Sequence, residues 1–119
     1  MSITWTEYHD RAMMVVKAAI VMEGTSETSS ATTHSYYGFV VQCFVDETDA
    51  PDDDYDITVT DEFGVDVLNG KGTDITADKT ITQADLDNGM ACSGKLTLAF
   101  AQGTSGKDVD VYLYIARYQ

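Results

Sequence analysis

The run that most restricts this chain lies near its end, where Val109, Val111, Leu113 and Ile115 alternate with Asp108, Asp110, Tyr112 and Tyr114. Strict alternation is the two-residue period of a β-strand, whose successive side chains point to opposite faces. One face must be buried, and the other, with its carboxylates, must meet water or a partner. The same period recurs upstream. Tyr55, Ile57 and Val59 alternate with Asp56, Thr58 and Thr60, and Leu96, Leu98 and Phe100 with Lys95, Thr97 and Ala99. In Tyr37–Val45 the period places Tyr37, Phe39, Val41, Cys43 and Val45 on one face. Val40, Gln42, Phe44 and Asp46 take the other, so this strand is expected to be partly covered on both sides.

Turn chemistry separates these runs. Asp49-Ala50-Pro51-Asp52 reads as a turn. Asp61-Glu62-Phe63-Gly64 followed by Val65–Leu68 reads as a hairpin, with Gly64 free to take positive φ. Gly103-Thr104-Ser105-Gly106 is expected to link the last two strands in the same way. Arg11–Met22 fits a strand or a buried helix, and the Val15-Val16 pair with the Gly24 stop favours the strand. Thr82, with Asp85 three residues on and Gly89 after, resembles the frame of a capped short helix. Gly24–Ser35 is rich in Ser and Thr and is expected to be a flexible loop.

At 119 residues the chain is one domain long, within about 100–200 residues per domain. No internal repeat or boundary divides it, so a single domain spanning residues 1–119 is expected. Several short strands at this spacing predict an all-β antiparallel sandwich, jelly-roll or immunoglobulin-like, with at most one short helix.

Charge bounds the partners. Twenty carboxylates face seven Lys and Arg, giving a formal charge of −13. Such a surface repels phosphate backbones and anionic lipid, so nucleic acid and membrane are excluded as expected partners. It favours a basic partner surface, cations, or solubility alone. The longest apolar stretch, Ala12–Met22, is broken by Lys17 and too short to span a bilayer. Met1–Trp5 has neither the basic nor the apolar region of a secretory leader, so an intracellularly made, soluble protein is expected. Cys43 and Cys92 have no C-x-x-C spacing, and nothing prompts a disulfide; Cys43 sits in a strand as a small hydrophobe.

No catalytic constellation emerges. His9 and His34 are the two histidines, and neither lies in a motif. Gly70-Lys71-Gly72-Thr73 lacks the preceding spaced glycine of a phosphate loop. The chain is therefore read as not an enzyme, with no catalytic residue, no cofactor and no metal assigned. The acidic run is denser: Asp46, Glu47, Asp49, Asp52, Asp53, Asp54 and Asp56 crowd eleven residues. It lacks the spacing of a calcium loop. A solvated or partner-facing loop is the reading, with Asp52, Asp54, Asp56 and Asp61 the first ligands to test for calcium. Tyr112, Tyr114 and Tyr118 project from the face opposite the aliphatic one. With Trp5 and Tyr8 of the N-terminal segment, and Asp52, Asp53 and Asp54 of the acidic turn, they form the expected interface. Tyrosine is a low-entropy amphipathic contact residue.

The stretch Ala50-Pro51-Asp52-Asp53-Asp54-Tyr55-Asp56-Ile57-Thr58-Val59-Thr60-Asp61-Glu62-Phe63-Gly64-Val65-Asp66-Val67-Leu68, then Gly70 and Gly72, resembles small β-rich virion proteins of tailed bacteriophages. So does the ending, Gly94-Lys95-Leu96-Thr97-Leu98, a Gly/Ser turn, and Val111-Tyr112-Leu113-Tyr114-Ile115-Ala116-Arg117. The resemblance covers about the second half of the chain. It implies a structural component of the particle, a capsid decoration or cement protein that sits on the outer shell and bridges neighbouring subunits. The implied partners are the major capsid protein and further copies of the chain, as a homo-dimer or homo-trimer, and the implied location is the virion surface. A head–tail connector or tail component is the alternative within that resemblance. A carbohydrate-binding module on a fibre, using Trp5 and the C-terminal tyrosines as sugar platforms, is the alternative outside it.

Overall fold

The computed structural model of the chain describes residues 3–9, 13–23, 27–30, 36–104 and 106–117. Among these residues the regular structure is all strand: β1 (Ile3–His9), β2 (Met13–Val21), β3 (Glu27–Ser30), β4 (Tyr36–Asp49), β5 (Asp56–Thr60), β6 (Lys79–Ile81), β7 (Met90–Gly94), β8 (Thr97–Ala101) and β9 (Asp108–Ala116). Every pairing between them is antiparallel. The larger sheet runs β1-β2-β9-β4, and the far edge of β4 carries β7 and then β6; the smaller sheet runs β3-β8-β5.

The pairings nest. β2 pairs with β9, β3 with β8, and β4 with β7. The chain thus behaves as one long hairpin whose arms are wrapped so that successive pairs fall in opposite sheets. That is the order of a jelly roll rather than of an immunoglobulin domain. One departure follows from β6, which pairs with β4 at Cys43–Val45 instead of covering β5. The segment Asp66–Ile75 covers the outer edge of β5 instead. Val67 N–H donates to Val59 O, Ile57 N–H to Gly72 O, and Tyr55 and Ile75 exchange both bonds.

The alternating residues fill the space between the sheets. Val109, Val111, Leu113 and Ile115 of β9 lie beside Val16, Ala18 and Ile20 of β2 and beside Val40, Cys43 and Val45 of β4. Ile57, Val59, Leu98 and Phe100 close the core from the smaller sheet. Each such aliphatic or aromatic side chain contributes roughly 1.5–3 kcal/mol by leaving water. This inward set of β9 is the one the alternation predicts, and Met13–Val21 is a strand.

Four expectations are corrected. In β4 the register slips between Val40 and Gln42, where one step along β9 is matched by two along β4. The bulge at Val41 changes which parity faces inward. Tyr36, Val40, Cys43 and Val45 are buried, whereas Tyr37, Phe39 and Phe44 face out. Thr82–Asn88 forms hydrogen-bonded turns and no helix. Thr82 and Asp85 do exchange the reciprocal bonds of a cap, Asp85 N–H to Thr82 Oγ1 at 3.2 Å and Thr82 N–H to Asp85 Oδ2 at 2.9 Å. Asp87 and Asn88 then turn left-handed at φ 53° and 63°, which stops the helix before it propagates. Gly103–Gly106 does join β8 to β9, but these strands lie in different sheets, so the link is a crossover and not a hairpin. Finally, part of the Ser/Thr-rich stretch is strand: Glu27–Ser30 pairs with Thr97–Phe100 of β8. Main-chain bonding needs no apolar side chains. The rest of residues 24–35 lies outside the described residues.

Gly38 sits where β4 meets the end of β9. Its φ is 148°, and a Cβ there would collide with the backbone oxygen of Ala116. Gly38→Ala is expected to cost about 1–3 kcal/mol, read as a lower urea midpoint.

Both thiols are free and buried. Burial, reinforced by the Asp61 carboxylate, pushes the Cys92 thiol up from 9.0 to about 11. Burial, reinforced by Asp66, pushes Cys43 to about 12. Each thiol ionises less readily in the folded chain than in the unfolded one, so its deprotonation favours unfolding. Stability from this source is complete below about pH 9 and is lost as pH rises through 11 and 12. The urea midpoint should fall above about pH 9, and the Cys43→Ala/Cys92→Ala pair should flatten the first part of that fall. Native protein at pH 8 should resist iodoacetamide and label only once unfolded.

Candidate functional site: the outer face of the large sheet

Cross-strand register orders the solvent side of the large sheet into rows. Met13, Ala116, Phe39 and Ala91 form the first. Tyr8, Val15, Tyr114 and Gln42 form the next, followed by Thr6, Lys17, Tyr112, Phe44 and Thr80. Thr4, Ala19, Asp110 and Asp46 follow, then Val21, Asp108 and Asp49. The face is graded. One end is aromatic and aliphatic, the other acidic, and the Asp52–Asp54 turn continues the acidic end beyond β4.

The aromatic end is open. Tyr8 is 52% exposed, Met13 36% and Tyr37 68%. Tyr112 and Tyr114 are half-buried by their neighbours on the same face. The Phe44 and Tyr112 rings stack with centroids 6.2 Å apart at 27°. The Lys17 ammonium lies 5.6 Å from the Tyr112 ring centroid and 3.7 Å from Asp110. Asp110 first, and Tyr112 after it, raise the Lys17 pKa. The middle row is thus held in place before any partner arrives, which reduces the ordering cost of binding.

The structure brings some of the expected interface residues together and separates others. Tyr8, Tyr112 and Tyr114 share this face. Trp5 does not: its parity turns it to the inner side, where it packs half-buried against the core. Its neighbour Glu7 also points inward and accepts the Tyr36 hydroxyl at 2.6 Å, tying β1 across to β4. His9 lies 3.3 Å from the other Glu7 oxygen. Asp52, Asp53 and Asp54 are exposed, and Asp52 N–H donates to Thr104 Oγ1 at 3.0 Å. Asp53 and Asp54, with Gln102 and Gly103, line an open depression. Tyr118 and His34 lie outside the described residues.

Lys17, Phe39, Phe44 and Tyr37 were not singled out from sequence. Phe39 and Tyr37 were grouped with the wrong parity because the bulge is silent in the periodicity. Phe63, 78% exposed at the tip of the β5 turn, was also passed over. An aromatic residue inside Asp-Glu-Phe-Gly was its signal.

Many of the carboxylates act as turn fasteners. Asp61 Oδ1 accepts Phe63 N–H at 2.9 Å and Val65 N–H at 3.1 Å, while its Oδ2 accepts Ser93 N–H at 3.3 Å. Asp66 accepts Leu68 and Gly70 N–H, Asp56 accepts Asp74 N–H, and Asp78 accepts Glu47 N–H. Among the described residues no group of three or more His, Cys, Asp and Glu is arranged to hold a metal ion. A cation at Asp61 would have to displace three backbone donors.

Asp61→Ala leaves those donors without their acceptor, and a cost of about 2–4 kcal/mol is expected. That corresponds to a melting point lower by roughly 10–25 °C for a domain of this size. Asp53→Asn, on an exposed side chain without such bonds, should leave the melting point unchanged or slightly raised. Calcium should shift it no more than magnesium at equal ionic strength. Comparison with protein-family models and with curated protein sequences finds no match to this chain.

Proposed function

We propose that this chain is a docking protein that binds the outside of an assembled protein shell, as a capsid decoration or cement protein does. The observation that carries the reading is the graded outer face of the large sheet. Sheets of this kind bury one face and wet the other with polar residues. Here the wet face instead presents Met13, Tyr8, Tyr114, Tyr112, Phe44 and Phe39 side by side. Contiguous apolar surface of that sort marks an interaction site, and tyrosine is over-represented in such sites. The acidic end supplies orientation, because carboxylates at one end of a contact select a partner with basic residues at the matching place. The resemblance of the second half to phage virion proteins supports the major capsid protein, at the virion surface, as the partner class. Jelly rolls also recur in viral capsid and lectin domains, which is fold-level analogy and adds only modestly.

The lectin reading is favoured by one observation, the gathering of aromatic side chains on a single sheet face, since such rings stack against sugar rings. It does not use the acidic end.

Purified chain should co-sediment with assembled shells and leave free capsid subunits unbound, because a cement site spans neighbours. Charge reversal of Asp52, Asp53 and Asp54 to Lys should slow attachment and reduce its salt dependence while the melting point holds. Tyr114→Ala should weaken binding by about 10-fold to 100-fold, as loss of an aromatic anchor does. Equal binding to shells and free subunits, or binding to neither, would overturn the reading. A few copies confined to one vertex of the particle would replace it with the connector or tail role.

A further inference from the structure

Strand β1 closes one side of the large sheet, and among the described residues no strand pairs with its second edge. Its seven pairs to β2 run without a register break, so no bulge twists that edge away. Ile3–His9 contains no Lys and no Pro. Bulges, Lys and Pro are among the devices by which proteins keep an open edge from pairing; an inward-pointing charge is another, and here Glu7 is held by the Tyr36 hydroxyl.

Charge identifies what the edge accepts. Residues 1–22 hold two carboxylates, Glu7 and Asp10, against two cations, Arg11 and Lys17, and sum to zero. The formal charge of −13 therefore lies wholly on residues 23–119. Elsewhere a second copy of this chain meets repulsion. At β1 that net repulsion is absent, and its one carboxylate, Glu7, is turned inward and accepts the Tyr36 hydroxyl.

We infer that β1 pairs with β1 of a second copy, antiparallel about a two-fold axis at Thr6, so that the large sheets run on through both molecules. Thr6 of one copy then faces Thr6 of the other, Thr4 faces Tyr8, Trp5 faces Glu7, and Ile3 faces His9. The direction follows from the graded face. Antiparallel pairing puts the acidic ends, with Asp46, Asp108 and Asp110, at diagonally opposite corners. Parallel pairing would set them side by side. A two-fold axis perpendicular to the sheet also leaves both graded faces on one side, so the dimer presents two docking faces to the same surface. The inference goes beyond the shell-binding reading and stands or falls separately from it.

Thr6→Glu tests it. Thr6 is exposed and lies opposite Lys17 on β2, so the new carboxylate has a partner within its own chain. In the dimer it meets its own copy across the axis. Thr80→Glu makes the same charge change on β6, at the far edge of the sheet. Light scattering should give twice the chain mass for the parent and for Thr80→Glu. It should give the single mass for Thr6→Glu, with dimerisation weakened by about 100-fold. Amide exchange in the parent supplies a second readout, since protection along Ile3–His9 should rise with protein concentration. A single mass at every concentration, a trimer, or a dimer that survives Thr6→Glu would each overturn the inference.

Discussion

The pairing of β4 with β9 is the contact on which the remaining structure depends. β4 is fourteen residues long and is bonded along both edges, to β9 on one side and to β7 and β6 on the other. β9 in turn lies between β4 and β2. These two strands supply the centre of the core on one face and the middle rows of the outer face on the other. The bulge at Val41 makes both uses possible. With an unbroken register, Cys43 and Val45 would have shared a face with Tyr37 and Phe39. The extra residue buries one pair and leaves the other pair in the open.

The molecule divides its chemistry by position along the strands. The outer face is acidic toward one end, and across the molecule the carboxylates serve two physical ends. Asp61, Asp66, Asp56 and Asp78 satisfy backbone N–H groups that turns leave unpaired, each such bond to a charged acceptor being worth about 1.5–3 kcal/mol. Asp53 and Asp54 have no such duty and shape the field outside the protein. Toward the other end the face is aromatic, and its middle row is fixed by the Lys17–Tyr112–Phe44 stack. A partner reading this face meets charge at one end and rigid apolar area at the other.

Strand existence was legible wherever one face is buried and the other wet, as in β5, β8 and β9, because alternation is then a direct record of burial. The burial of Val109 through Ile115 and the outward set Asp108, Asp110, Tyr112 and Tyr114 follow from it. What alternation does not record is which sheet a strand joins. Gly103 and Gly106 signal a reversal equally well between partners and between layers. Nor does it record a bulge, since Tyr37 through Val45 reads as an unbroken apolar series. Trp5 falls on the other face for a simpler reason: it lies three positions from Tyr8, an odd step that puts the two on opposite faces. The acidic run was legible as a composition but not as a set of turn fasteners. That use depends on backbone N–H groups which are donors in search of acceptors only once the turns exist.

The nested pairing has a kinetic consequence. β9 pairs with β2, from the far end of the described sequence, and it is also the central strand of the large sheet. Until β9 is present, as during synthesis on a ribosome, β2 and β4 each expose an open inward edge beside an uncovered aliphatic face. Loop closure over most of the chain must precede the contacts that reward it, which places such topologies among slow folders, in milliseconds to seconds. Over that interval the same unpaired edges are templates for other nascent copies. A net charge carried wholly by residues 23–119 gives those intermediates their main protection, because like-charged chains approach one another reluctantly while the last strand is still to be inserted.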